Sequence, residues 1–315
     1  MLALLFPGQG AQEVGMGRDV FEASPAARAV FEIADRVLDL PLSRLCFEGP
    51  EEELVRTEIQ QPAILATSMA LLRALEERVT LEPVAVAGHS LGEYTALVAS
   101  GALALEDALL LVRARGRYMQ EAVPEGRGAM AAVLGCGPEL VERACDDARK
   151  ETGRVVAPAN YNGPSQTVIA GDAVAVERAC NRARQLGARR ALPLAVSAPF
   201  HCPLMEPAAE KLAPELERVR FGNPKPPVVS NVDATPNSEG ERIRGLLAAQ
   251  VTSPVRFTEM VEQLRAMGVS RVLEVGPGRV LTGLVARIAP DLGRLSLYDA
   301  DGIGAVAAAL VATAG

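Results

Sequence analysis

Gly88-His-Ser-Leu-Gly92 fits the G-x-S-x-G spacing of a nucleophile elbow. The apolar run Val84–Ala87 before it reads as a short strand, and a helical run follows it toward Gly101. That setting is what gives the pentapeptide meaning, since the same letters also arise by chance at strand–helix junctions. A turn this tight needs glycine on both sides of Ser90, where neighbouring Cβ atoms would collide. The helix starting there would aim backbone N–H groups and its positive dipole end at the serine.

An elbow serine needs a base, and the chain has only two histidines, His89 and His201. His89 adjoins Ser90, and side chains of adjacent residues on such a turn diverge. His201 lies in Ala198-Pro-Phe-His-Cys-Pro203, a loop directly after a predicted strand, where open α/β sheets place catalysis. A lone loop histidine is more often a surface residue, but as the available base His201 is the better candidate. It must be neutral to accept a proton, so activity is expected to fall at acid pH through an apparent pKa of about 6 to 7. The order serine-then-histidine fits the α/β-hydrolase arrangement, yet no acidic third member stands out. Cys202 beside His201 reads as a small buried thiol.

Arg115 is the most informative residue after Ser90. Residues 106–121 are patterned as a helix with the apolar stripe Leu105, Ala108, Leu111, Val112, Tyr118, Met119 and Ala122, and Arg115 falls inside it. Arg113 and Arg117 lie across the wheel and read as solvated charges. A guanidinium on a buried face must find an anion. That anion is either a carboxylate of the protein or a carboxylate of the substrate.

Phe6-Pro-Gly-Gln-Gly-Ala-Gln12 after the first strand lacks the spacings of a dinucleotide or nucleoside-triphosphate loop, as does Gly276-Pro-Gly278. Its glycines would let backbone N–H groups approach an oxyanion, with Gln9 able to help. With two histidines and no Cys-x-x-Cys, no metal site is expected, and no cofactor.

Short apolar strands at 2–6 and 84–87 alternate with helical stretches at 19–38 and 62–79, which predicts a mainly parallel sheet covered on both faces. Around Pro124-Glu-Gly-Arg-Gly128 the character changes, and the chain then reads strand 129–134, helix 138–150, strands 155–159 and 166–170, helix 172–186, strand 189–194. That βαββαβ order is a ferredoxin-like unit inserted at 125–194. The larger α/β domain comprises 1–124 and 195–315, with strands at 227–231, 271–275 and 295–298 and a helix at 258–267.

Composition narrows the function further. The 315 residues are 49% apolar and 23% charged, a globular balance with no membrane-length apolar run. Met1–Phe6 lacks a basic leader and reads as a first strand, not a signal peptide. A net charge of −7 argues against nucleic acid as partner. Five cysteines without paired spacing suit a reducing cytoplasm. Of 32 basic residues only Lys150, Lys211 and Lys225 are lysine, so a bound anion would mostly meet guanidinium.

In one order along the chain stand Phe6-Pro-Gly-Gln-Gly-Ala-Gln12, Gly88-His-Ser-Leu-Gly-Glu-Tyr94, Arg115-Gly116, Ser197-Ala-Pro-Phe-His201, Gln250-Val-Thr-Ser-Pro-Val-Arg256 and Glu274-Val-Gly-Pro-Gly278. Together they resemble the malonyl-CoA:acyl-carrier-protein transacylases of fatty-acid synthesis and the acyltransferases of polyketide synthesis. The resemblance spans essentially the whole chain. It implies an α/β-hydrolase-like large domain with a ferredoxin-like insertion, Ser90 as nucleophile and His201 as base. It makes Arg115 the clamp for the malonyl carboxylate and Gln9 with the Leu91 N–H the oxyanion hole. The backbone carbonyl of Gln250 would orient the histidine in place of an acid. Phe200 matches the malonyl-selective form of its loop, and Asn160 matches a position near the substrate. The implied partners are malonyl-CoA and an acyl carrier protein, in a ping-pong reaction with no metal. The rivals are a trans-acting polyketide synthase acyltransferase, a proofreading acyl-hydrolase on the same scaffold and a non-catalytic docking relative.

Overall fold

The computed structural model describes residues 1–312; of the expected segment 195–315, residues 313–315 lie outside them. The described strands are, in chain order, β1 (Leu2–Phe6), β2 (Pro83–Gly88), β3 (Gly128–Leu134), β4 (Val156–Gly163), β5 (Gln166–Asp172), β6 (Arg190–Pro193), β7 (Val228–Val229), β8 (Pro236–Asn237), β9 (Arg271–Val275) and β10 (Gly293–Leu297). They form two sheets. The larger runs β10-β9-β1-β2-β7-β8 and is parallel except for the β7–β8 edge.

Side chains alternate across a strand, and in β1 both faces are apolar. Ala3 and Leu5 enter one hydrophobic cluster with Ala85, Ala87 and Val272, while Leu4 and Phe6 enter the other with Val86 and Leu273. Helices therefore cover both faces, as continuous apolar strands require.

The smaller sheet has order β4-β5-β3-β6 with antiparallel pairs throughout, the arrangement of a ferredoxin-like βαββαβ unit. Its outer face, with Ala131, Val133 and Ile169, packs on helices Pro138–Thr152 and Ala173–Gln185. Its inner face, with Met130, Ala132, Val168 and Ala170, belongs to the large sheet's own cluster. The insertion thus shares a core with the rest of the chain. It is also stitched to it by backbone: Val255 N–H donates to Ala159 O at 2.8 Å, and Tyr161 N–H donates to Val255 O at 2.9 Å.

Several boundaries differ from expectation. The helix expected over 19–38 is two, Arg18–Ala23 and Pro25–Leu38, because Ser24 caps the second through Ala27 N–H at 3.0 Å and Pro25 opens it. The helix expected from Pro62 begins at Thr57 and carries Pro62 inside it. That extension puts Gln60 and Gln61 on the helix, both buried. Strand β4 runs to Gly163 through register shifts between Pro158 and Asn160 and between Tyr161 and Gly163. The strand expected at 227–231 pairs over Val228–Val229 alone, which leaves Ser230 and Asn231 as a buried loop.

Candidate active site

β2 ends in the elbow. Ser90 has φ 54°, a left-handed backbone that a serine adopts at a cost. A Cβ on Gly88 would stand 1.9 Å from the Gly92 carbonyl carbon, and one on Gly92 would stand 2.1 Å from Phe6 O. Neither position can hold a side chain. The turn is clamped by Asn231, whose Oδ1 accepts from Ser90 N–H at 2.6 Å and whose Nδ2 donates to Gly88 O at 2.7 Å. Ser90 is buried to 7% exposure at the start of helix Gly92–Ala99.

His201 reaches Ser90 across the fold, with Nε2 2.7 Å from Oγ. Its Nδ1 lies 2.9 Å from the carbonyl oxygen of Gln250. That carbonyl ends helix Gly240–Gln250, where the last carbonyls have no helical donor and carry the negative end of the dipole. A carbonyl can only accept, so Nδ1 carries the proton and Nε2 is left to accept from the Ser90 hydroxyl. His201 also sits in the left-handed region, at φ 59°. Burial, and after it the Arg115 cation, hold its pKa down to about 3. His89 points elsewhere, with Nε2 2.8 Å from Asn162 Oδ1 and its ring against Phe257. Cys202 donates its thiol to Pro199 O, and burial pushes its pKa up to about 11, far from thiolate chemistry at neutral pH.

Arg115 is fully buried on helix Leu105–Glu121. The helix can carry it to the site because residue 116 is glycine: a Cβ there would meet Thr57 O at 2.5 Å, so the two helices cross in backbone contact. Nη1 donates to Gln61 Oε1 at 2.9 Å, and Nη2 to Gln250 Oε1 at 2.9 Å and Ser90 Oγ at 3.1 Å. Nε has no partner. Among the described residues no carboxylate pairs with this guanidinium. A structural ion pair is therefore excluded there, and a buried cation stands beside the serine hydroxyl with neutral amides around it. Arg113, expected to be solvated, is half-buried and donates to Leu38 O at 2.6 Å, the end of helix Pro25–Leu38.

The other expected residues divide. The Leu91 N–H sits at the elbow and donates to no group in the turn's backbone bonds. Phe200 is buried beside His201 in the core. Gln9 does not touch Ser90: its Nε2 donates to Gln60 Oε1 at 2.6 Å and its Oε1 accepts from Gln61 at 3.1 Å, which joins it to Arg115 through Gln61. Asn160 is buried in β4 and bridges Val255 by backbone, while it is Asn162, two residues on, that reaches the elbow through His89.

Residues 3–290 match the acyl transferase domain family. The chain belongs to that family. This acyltransferase is 47% identical over 303 residues to the malonyl CoA-acyl carrier protein transacylase of Escherichia coli K12, covering 96% of this chain and 97% of the relative. It is 48% identical over 310 residues to the enzyme of that name from Haemophilus influenzae, with 98% and 99% coverage. Among solved structures it resembles a malonyl-transacylase in complex with a type II PKS acyl-carrier protein, at TM-score 0.95 and 47% identity over 98% of this chain and 99% of that one. It also resembles an acyl carrier protein S-malonyltransferase from Vibrio cholerae, at TM-score 0.94 and 46% identity over 97% and 99%.

Asn231 and Glu93 are among the groups of the acyltransferase site that carry no role in the sequence reading. Asn231 lies in a loop after a two-residue strand, where pattern offers no signal. Glu93 stands inside the Gly88–Tyr94 motif but shows its place only through contacts with Asn231 and Gln250, both distant in sequence. Because the elbow leaves no room at Gly88, Gly88→Ala is expected to lose at least about 1 to 3 kcal/mol of stability by overpacking, and to impair acyl transfer by displacing Ser90. Thermal melting alongside an activity assay checks this; a melting temperature and rate both unchanged would mean the turn has slack.

Proposed function

We propose that this acyltransferase moves malonyl from malonyl-CoA to the phosphopantetheine thiol of an acyl carrier protein through a malonyl-Ser90 ester. The observation that carries the reading is Arg115: a fully buried guanidinium, free of any ion pair among the described residues, beside the Ser90 hydroxyl. A dicarboxylic acyl group supplies the missing anion, and a plain acyl chain does not. This also weighs against a proofreading hydrolase of simple acyl groups.

His201 Nε2 takes the Ser90 proton as Oγ attacks the thioester carbonyl, and the tetrahedral oxyanion is met by the Leu91 N–H at the helix start. The C–S bond breaks, and the CoA thiolate leaves with the proton that His201 returns. In the second half the carrier's thiol gives its proton to His201 and attacks the ester. Ser90 then leaves as alkoxide and is reprotonated. The Gln250 carbonyl does the orienting work that an acid performs in the usual triad. We read 1–124 with 195–315 as the catalytic domain and 125–194 as the inserted subdomain. Among the described residues no helix is long and apolar enough to cross a membrane, and all five cysteines are free. Free thiols suit a cytoplasmic enzyme.

The test is incubation with labelled malonyl-CoA, with and without holo acyl carrier protein. Label should pass to the carrier and release of free malonate should be slow; fast release regardless of carrier would favour the hydrolase. The pH dependence changes from the one read in sequence. His201 is already neutral well above about 3, so acidification from pH 7 to 5 does not protonate it. The first half-reaction should show no acid loss over that range. A fall through an apparent pKa between 6 and 7 would mean that the imidazole is solvated during turnover.

A further inference from the structure

Glu93 is a carboxyl group that the steps above leave idle. It is 1% exposed on helix Gly92–Ala99, and its Oε2 accepts from Asn231 N–H at 3.1 Å and from Gln250 Nε2 at 2.7 Å. Among the described residues its Oε1 has no hydrogen-bond partner. No cation among the described residues touches it, yet one carboxamide joins it to the buried cation of the site: Gln250 takes Arg115 Nη2 on its oxygen and gives its amide to Glu93. A carboxamide held in this sense is polarised by opposite charges at its two ends, each stabilising the other.

We propose that Glu93 is the proton-linked counter-charge of Arg115, ionised when the guanidinium has no substrate anion and protonated from solvent when the malonyl carboxylate binds. The inference rests on the reading of Arg115 as the carboxylate clamp. A second anion on the far side of Arg115 competes for its charge and disfavours the buried carboxylate. Binding of malonyl and of the proton then help one another, by an equal factor in each direction. Glu93 is poised for this, because burial, and more weakly Asp233, raise its pKa to about 7 against the hydrogen bonds from Gln250 and Asn231 and the nearby Ser230 hydroxyl. The neighbouring groups do not change charge near neutrality. Burial lowers His89 and His201, Tyr94 is pushed up to about 12, and Asp233 is held below its usual range. Arg115 remains a cation throughout.

The sign follows. Neutral Glu93 leaves Arg115 free for substrate, so malonyl capture should weaken as pH rises through the Glu93 pKa. The readout is the kcat/KM of malonyl-Ser90 formation as a profile from pH 5.5 to 8.5, compared within each variant. Wild type should fall at least about fivefold, the low end of ordinary coupling between sites. Acetyl-CoA carries the same titrating CoA phosphate but no carboxylate, so its ratio should stay within about twofold. Glu93→Gln keeps a carbonyl oxygen for both hydrogen bonds and should flatten the malonyl profile. Asp233→Asn removes a negative neighbour of Glu93 and should move the inflection to lower pH. A flat wild-type profile, a parallel fall with acetyl-CoA, an unchanged fall in Glu93→Gln, or an unmoved inflection in Asp233→Asn would each overturn the proposal. Arg115→Ala separates the two readings. If it leaves the acyl preference unchanged, the clamp assignment fails. If it shifts the preference while Glu93→Gln keeps the wild-type profile, the proton linkage alone fails.

Discussion

Replacing Ser90 by alanine is expected to lower malonyl transfer by at least about ten-thousand-fold, the scale seen when the nucleophile of a cooperating catalytic group is removed. The loss should fall on kcat more than on KM. The substrate's carboxylate would still meet Arg115, whose remaining bonds to Gln61 and Gln250 do not depend on the serine. The fold should survive, because Oγ contributes bonds only to His201 and Arg115, while the backbone N–H of residue 90 keeps its Asn231 clamp. Steady-state transfer with a melting curve on the same preparation checks both parts. A residual rate within about a hundredfold of wild type would mean that acyl transfer proceeds without a serine ester, directly between the two thiols.

Arg115→Ala should change which acyl group the enzyme prefers. Leaving a buried carboxylate without its partner costs about 2 to 5 kcal/mol, and malonyl-CoA would bear that penalty. Acetyl-CoA has no carboxylate and would not. Both substrates would share a common loss, because Arg115 Nη2 also touches Ser90 Oγ and its removal frees the Gln61 and Gln250 carboxamides. The informative quantity is therefore the ratio. The acetyl-to-malonyl ratio of kcat/KM should rise at least about tenfold, which corresponds to about 1.4 kcal/mol. Arg115→Lys should recover part of the malonyl rate, since an ammonium restores the charge but not the two-pronged fork. Competition between the two CoA esters on the purified variants measures this. An equal fall for both would make Arg115 a structural donor to Gln61 and Gln250.

Much of this site could be read in the chain because its signals are local. The elbow needs two glycines within five residues, and the clash distances at Gly88 and Gly92 give the reason. Arg115 betrays itself by standing in an apolar helical stripe. His201 emerges because there is so little choice of base. The ferredoxin-like insertion follows from element order alone, and its β4-β5-β3-β6 pairing agrees. What could not be read depends on contacts between distant segments. Asn231 clamps an elbow 141 positions away, and Glu93 meets Gln250 at a separation of 157. The histidine's ionisation is beyond the sequence for the same reason. An ordinary pKa near 6.5 assumes solvent, whereas burial and the Arg115 cation are tertiary facts. Gln9 is similar: its loop stands at the site, but a helix that starts five residues before Pro62 supplies Gln60 and Gln61 as its partners.

Every step of the reaction depends on the malonyl ester at Ser90. Intact-mass measurement of the wild-type enzyme after brief exposure to malonyl-CoA, followed by peptide mapping, tests it most directly. One malonyl unit should appear, map to the peptide containing Ser90, and disappear on addition of holo acyl carrier protein as the carrier gains it. The absence of any adduct, or an adduct of equal yield in Ser90→Ala, would contradict the account.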